Sequence, residues 1–205
     1  VKEAVIDRFY ERCGIRIEKD WKIVDIGAAI GEFTIYAARK AKAGKVFAFE
    51  PNPESMGLLK ENLALNRIKN VVLNQCGVWS EAARMRFDNS LGEPLQAMSV
   101  LTDTDKTGDC SFDVITLNDV VEHVVRDAVD LLKLDCEGAE YAILAAVSDE
   151  TLQKIRCISM EYHNLDLKQS YQWLMDFLAS KGFNVKHVPN AVHSNIGYLY
   201  ATKKA

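Results

Sequence analysis

The chain has 205 residues, of which 48% are hydrophobic and 26% charged, and its formal net charge is −4. That balance suits one globular domain with a sizeable core, since domains usually run to about 100–200 residues. It excludes disorder, collagen and coiled coil as whole-chain readings, and a mildly acidic chain has no broad electrostatic grip on nucleic acid or an anionic membrane.

No apolar run approaches the ~20 residues that cross a bilayer, and the first residues carry acids rather than an apolar signal core, so no membrane span or secretory segment is expected. The five cysteines (Cys13, Cys76, Cys110, Cys136, Cys157) form no C-x-x-C pair. That pattern predicts neither a zinc site nor a disulfide framework, and a reducing cytoplasm fits it best.

In chain order, residues 1–13 read as an amphipathic helix with Val5, Ile6, Phe9 and Tyr10 on one side, within an N-terminal helical segment over 1–20. A buried strand follows over 21–26 and a helix over 31–40, with Phe33, Tyr36 and Ala37 on one face. Residues 45–50 read as a second strand. A helix over 53–66 has Pro53 in its first turn, and 71–74 reads as a third strand. This βαβαβ spacing implies a parallel sheet with right-handed crossovers. Residues 80–116 are harder: 84–87 alternates like an edge strand, and the rest reads as variable loops near the substrate. One or two helical turns are expected within 117–129. Strands are expected over 131–134 and 155–162, with helices over 138–147 and 171–181, the last closed by Gly182. The segments 183–188 and 197–202 are joined too tightly for a crossover helix, which predicts an antiparallel hairpin at one edge of the sheet. The whole chain, 1–205, is expected to be one α/β domain of five parallel strands plus that pair, with helices on both faces.

Four stretches carry the chemistry. In Val24-Asp25-Ile26-Gly27-Ala28-Ala29-Ile30-Gly31-Glu32-Phe33, a strand ends in an acid, a glycine turn follows and a helix begins. Gly27 allows close ligand approach and Gly31 allows close packing of the helix. The G-x-G-x-x-G of dinucleotide folds is absent, and an acid at the strand end suits a ligand bearing ammonium and sulfonium better than one bearing phosphates. An ordinary strand–turn–helix corner is the bland alternative.

Glu50, in Phe49-Glu50-Pro51-Asn52, follows Asp25 by 25 positions. That is near the spacing at which a carboxylate accepts ribose hydroxyls, although a helix-capping acid would also fit. Asp135, Glu137 and Glu140, in Lys133-Leu134-Asp135-Cys136-Glu137-Gly138-Ala139-Glu140, follow a buried strand. Acids are favoured at any helix N-terminus, yet Asp135 should also point into the crevice at the strand ends. In Glu161-Tyr162-His163, alternation puts Glu161 and His163 on one side, beside the same crevice.

Together these stretches resemble the FkbM family of S-adenosylmethionine (SAM)-dependent methyltransferases, through DIGAAIGEFT, GKVFAFEPNPESMGLLKENLALN, LLKLDCEGAEYAIL and ISMEYH. The likeness runs from about Trp21 to Phe183. It implies a Rossmann-like methyltransferase fold with a mostly parallel seven-stranded sheet. The cofactor it implies is SAM, and the activity is O-methylation of a hydroxylated small molecule such as a sugar or natural-product scaffold. No nucleic-acid or membrane partner is implied. The family commonly has Asn where this chain has Ala29.

On this reading Asp25 and the turn Gly27, Ala28, Gly31, with Phe33, hold the methionine part. Glu50, Pro51 and Asn52 hold the ribose, while Cys76, Gly77 and Val78 flank the adenine. Asp135, Glu161 and His163 are the catalytic candidates, and Asp135 also faces the methyl donor. His163, titrating near neutral pH, is the natural proton acceptor, and Asp135 is its rival. No metal is assigned, though a divalent cation on these side chains is a third option. A nicotinamide-dependent oxidoreductase and a non-catalytic cofactor-binding module are the competing functions.

Overall fold

The computed structural model describes residues 9–87, 98–100, 111–164 and 169–203. Its frame is a seven-stranded sheet built from β1 (Lys22–Ile26), β2 (Lys45–Phe49), β3 (Val71–Asn74), β8 (Val129–Leu134), β9 (Ile155–His163), β10 (Phe183–Pro189) and β11 (Ile196–Lys203). Their order across the sheet is β10-β11-β9-β8-β1-β2-β3. All neighbours pair parallel except β11, which runs antiparallel to both β9 and β10. The hairpin is therefore confirmed, with β10 as the outer strand and β11 wedged inside it.

The central strands β1, β2, β8 and β9 are largely buried because helices cover both faces of the sheet. On one face α1 (Glu32–Lys40) buries Phe33, Ala37 and Ala38 against Ile23, Val46 and Leu131, and α2 (Pro53–Leu65) lays Met56, Leu59 and Leu63 beside it. On the other face α4 (Glu140–Ala146), α5 (Asp149–Gln153) and α6 (Tyr171–Ser180) pack Ile143, Leu144, Leu152, Leu174 and Leu178 against Val24, Leu132, Ile158 and Leu199. Asn52 caps α2 by accepting from the amides of Glu54 at 2.9 Å and Ser55 at 3.1 Å, an arrangement worth about 1 kcal/mol. Pro53 opens the helix because its missing N–H is needed by no partner there.

The sequence reading is corrected in two places. Residues 1–8 of the expected N-terminal helix lie outside the described residues, and 9–13 form turns, with Cys13 at φ 54° and Gly14 at φ 97°. Phe9 stacks on Tyr198 at 4.6 Å between ring centres, and Tyr10 meets Phe33 edge-on at 5.0 Å. This segment is thus an aromatic strap across the sheet rather than a helix.

The region read as loops around an edge strand at 84–87 holds a second sheet: β4 (Gly77–Trp79), β5 (Ala83–Phe87), β6 (Met98–Val100) and β7 (Ser111–Thr116), in the order β4-β7-β5-β6, so the expected strand is present as β5 but lies between β7 and β6 rather than at an edge. Residues 88–97 and 101–110 of that region lie outside the described residues. The turns expected after it are α3 (Leu117–Asp119), capped by Thr116, and a π-helical turn over Val120–Val125, closed by an Arg126 amide bonded to the Val121 carbonyl at 2.9 Å. No helix among the described residues is long and apolar enough to cross a membrane.

Candidate active site

The C-terminal ends of β1, β2, β8 and β9 open into one crevice. The turn after β1 is held by the Phe49 carbonyl, which accepts from the amides of Gly27 at 3.1 Å and Ala28 at 3.0 Å. Gly27 sits at φ 76°, and a Cβ there would lie 1.9 Å from the Asp135 carbonyl oxygen, so only glycine lets the turn pass the end of β8. Gly31, at φ 91°, clears Leu59 of α2, whose Cδ1 would lie 2.2 Å from an added Cβ. Its role is therefore helix-to-helix packing.

Ala29 also adopts a left-handed φ of 45°, which explains why an asparagine is at home there: Asn tolerates that conformation better than Ala. The Ala29 amide donates to Glu50 Oε2 at 2.8 Å, and the Asn52 amide donates to Glu50 Oε1 at 2.9 Å. Burial raises the Glu50 pKa above its ordinary value, against the lowering effect of these two bonds.

Two adjoining cavities share Gly27, Ala29 and Asp135. The first runs past Glu50 and Pro51, is walled by Val78, Trp79, Phe112 and Val114, and ends at Glu137. The second lies under Tyr10 and is bordered by Ala28, Glu32, Phe33 and Lys133. The second sheet thus walls the first cavity, because β4 and β7 carry Val78, Trp79, Phe112 and Val114.

Of the residues expected to touch a cofactor, Gly27, Ala28, Phe33, Glu50, Pro51, Gly77, Val78 and Asp135 line these cavities. Four do not. Asn52 is occupied as a helix cap and Gly31 as a packing position. Cys76 lies off the cavities, with its thiol pushed up to about 11 by burial and by the charge of Asp113. Asp25 is fully buried below the crevice and answers Lys133 and Thr34 instead of a ligand.

Lys133 is the residue that sequence reasoning missed. Register sets it beside Asp25 on β1, and its side chain is 3% exposed. Its Nζ lies 3.0 Å from Asp25 Oδ1 and 3.7 Å from Asp135 Oδ2, and it donates to the Gly27 carbonyl at 2.7 Å. Burial works against the ammonium, but the two carboxylates outweigh it and hold its pKa above the ordinary lysine value. The available signal was a lysine inside the apolar run Leu131-Leu132-Lys133-Leu134, which demands a buried acid. Tyr10 was also missed; its hydroxyl donates to Asp135 Oδ2 at 2.7 Å.

The structure brings Asp135, Glu161 and His163 together, with one ligand atom of each within 4.8 Å of the others. His163 is 8% exposed, and its Nε2 lies 3.3 Å from Glu137 Oε2 and 3.8 Å from Glu161 Oε1. Glu140 lies behind the ring, with Oε1 3.6 Å from Nδ1. Burial lowers the His163 pKa, but Glu140, Glu137 and Asp135 outweigh it and push it up to about 9. An imidazole in that nest is already protonated at neutral pH. That shift works against the expected role of proton acceptor.

A Rossmann-like sheet with one antiparallel strand near its edge, and a crevice at the strand ends holding a glycine turn and an acid on β2, define the class: this is a methyltransferase fold. Solved structures agree at the level of fold. SMU.1697c from Streptococcus mutans, solved in complex with SAH, superposes with a TM-score of 0.60 at 14% identity, over 100% of this chain and 99% of that one.

Residues 25–185 match the methyltransferase FkbM domain, and the chain belongs to the FkbM methyltransferase family. It is 30% identical to Methyltransferase 1 of Beauveria bassiana, over 90% of this chain and 80% of that protein. It is also 30% identical to the 31-O-demethyl-FK506 methyltransferase FkbM of Streptomyces tacrolimicus, over 80% and 74% respectively.

Proposed function

We propose that the chain is a SAM-dependent O-methyltransferase acting on a hydroxyl of a sugar-like or natural-product-like small molecule. One observation carries this reading: two cavities of different character meet at Asp135, beside Glu161 and His163. Relatives whose names specify O-methylation or a sugar acid support the acceptor class. They are the 31-O-demethyl-FK506 enzyme, the 2-O-methyltransferase NoeI of Sinorhizobium fredii and the hexuronic acid methyltransferase AglP of Haloferax volcanii.

The residues present fit the cofactor. Each Glu50 oxygen accepts one backbone amide and keeps a lone pair for a ribose hydroxyl. Val78, Trp79 and Phe112 offer apolar walls to a purine. In the second cavity the Lys133 ammonium suits a carboxylate, and Glu32 suits an ammonium. When bound, the cofactor supplies an electrophilic methyl group on a sulfonium.

The protein orients and desolvates the two reactants. Asp135, fixed by Tyr10 and Lys133, would complement the positive charge of a bound sulfonium. Glu161 accepts the proton of the acceptor hydroxyl, and His163 holds that carboxylate in place. A positioned base of this kind contributes about 10²–10⁴-fold.

Calorimetry with SAM, SAH and NAD tests the cofactor, and transfer of a labelled methyl group to a panel of hydroxylated small molecules tests the reaction. Saturable binding of SAM and SAH without NAD, and label retained on an oxygen, is expected. Preferential binding of NAD would overturn the reading in favour of an oxidoreductase.

A further inference from the structure

We propose that Tyr10 is a positioning residue that acts through Asp135 to make the crevice prefer SAM, whose sulfur is charged, over SAH, whose sulfur is neutral. The assignment rests on the SAM reading of the crevice and adds to it the residue that sets the balance between donor and product.

The strap that carries Tyr10 is tied down on both sides of that residue. The Phe9 ring stacks on Tyr198, and the Phe9 carbonyl accepts the Tyr200 hydroxyl at 2.5 Å. Glu11 has a buried side chain; its Oε1 accepts the Ile17 amide at 2.6 Å, and its Oε2 accepts the Tyr36 hydroxyl of α1. Between these anchors Tyr10 is 5% exposed, with its ring edge-on to Phe33 at 5.0 Å. The strap therefore fixes the point at which the hydroxyl enters the second cavity.

Charge decides what the hydroxyl does there. Burial and the negative charges of Asp135, Glu161 and Asp25 hold the Tyr10 pKa far above the ordinary tyrosine value, so the group stays a donor. It donates to Asp135 Oδ2 at 2.7 Å, and the Lys133 Nζ stands 3.7 Å from that same oxygen. Lys133 itself lies 3.0 Å from Asp25 and donates to the Gly27 carbonyl at 2.7 Å. The hydroxyl thus holds Asp135 short of a close ion pair. Without it the carboxylate has a cation within reach and closes on it, and the two charges satisfy one another. With it, Lys133 is matched by Asp25, and the charge of Asp135 is in excess where the two cavities meet.

SAM and SAH differ by one methyl group and one positive charge. A carboxylate held off its neighbouring cation distinguishes them by that charge. Walls that contact the adenosine and amino-acid parts cannot do so, because both ligands carry those parts alike. A crevice with this preference exchanges spent product for fresh donor.

The test is the calorimetric affinity of the ligand-free full chain for SAM and, separately, for SAH. It is measured in the parent, Y10F, D135N and Y10F/D135N, with thermal melts to confirm folding. Y10F keeps the ring and its packing on Phe33 and removes only the hydroxyl. It should cut the preference for SAM over SAH about tenfold, the lower end of what a hydrogen bond to a charged group contributes, and change SAH affinity by less than about twofold. D135N should cut the preference at least as far. Y10F/D135N should go no further than D135N, since Tyr10 acts through that carboxylate. Equal weakening of both ligands in folded Y10F would reduce Tyr10 to packing and overturn the assignment. So would an unchanged or greater preference for SAM, or a further loss in the double variant. A parent chain that binds neither ligand would overturn the SAM reading and the assignment with it, whereas a parent that binds both beside a Y10F chain of unaltered preference would overturn the assignment alone.

Discussion

Replacing Lys133 by methionine isolates the buried charge beneath the crevice. The substitution keeps the length and most of the volume of the side chain but leaves Asp25, with no surface exposure, facing no cation. Two charges 3.0 Å apart attract by about 5 kcal/mol at an effective dielectric of about 20. Measured losses on breaking such buried pairs run to about 3–5 kcal/mol, because the remaining charge stays desolvated. Thr34 still donates to Asp25 and recovers part of that.

A loss of about 3 kcal/mol or more is therefore expected. In a chain of this size that corresponds to a fall in Tm of about 6–12 °C, at about 2–4 °C per kcal/mol. Urea denaturation of K133M, D25N and the double variant D25N/K133M, without cofactor, measures it. The double variant should recover at least about 2 kcal/mol relative to the sum of the single losses, since it removes both charges. A K133M chain within 1 kcal/mol of the parent, or strict additivity in the cycle, would refute the claim that Lys133 exists to neutralise Asp25.

Three further outcomes follow from the crevice. The pKa of Glu50 is raised by burial, so its proton is taken up at a higher pH than in the unfolded chain, and the protonated form loses an acceptor for ribose. Affinity for SAM should therefore fall as pH drops through that raised value. E50Q should bind about tenfold or more weakly with a flatter profile, and parallel profiles would remove Glu50 from ribose binding. A29G relieves a left-handed alanine and should stabilise the chain by about 1 kcal/mol, read as a Tm rise of about 2–4 °C. G27A forces the first turn off the Asp135 carbonyl; it should cost about 1–3 kcal/mol in chemical denaturation and abolish SAM binding in calorimetry, and normal affinity would mean that the turn is not part of the cofactor site.

The order of elements and half of the site are local properties, and the sequence alone determined them. Strand-to-helix alternation reads directly from periodicity. The turn at Gly27, the acid Glu50 after β2 and the acid Asp135 after β8 sit at strand ends, where any parallel sheet builds its crevice. The pairing of 183–188 with 197–202 followed from a connection too short to cross over.

What the sequence could not give is which distant residues meet. Asp25 looked like a ligand because its charge was visible and its partner was not. Only the register of β1 against β8 puts Lys133 beside it and takes it out of the crevice. Tyr10 reaches Asp135 across 125 positions of chain, which no local pattern encodes. Trp79 and Phe112 became a cavity wall only because β4 and β7 pair across a segment that reads as loops. The proton of His163 depends on the fold for the same reason: an isolated imidazole titrates near neutrality, but Glu137, Glu140 and Asp135 raise its pKa against burial, and only the folded chain supplies those neighbours.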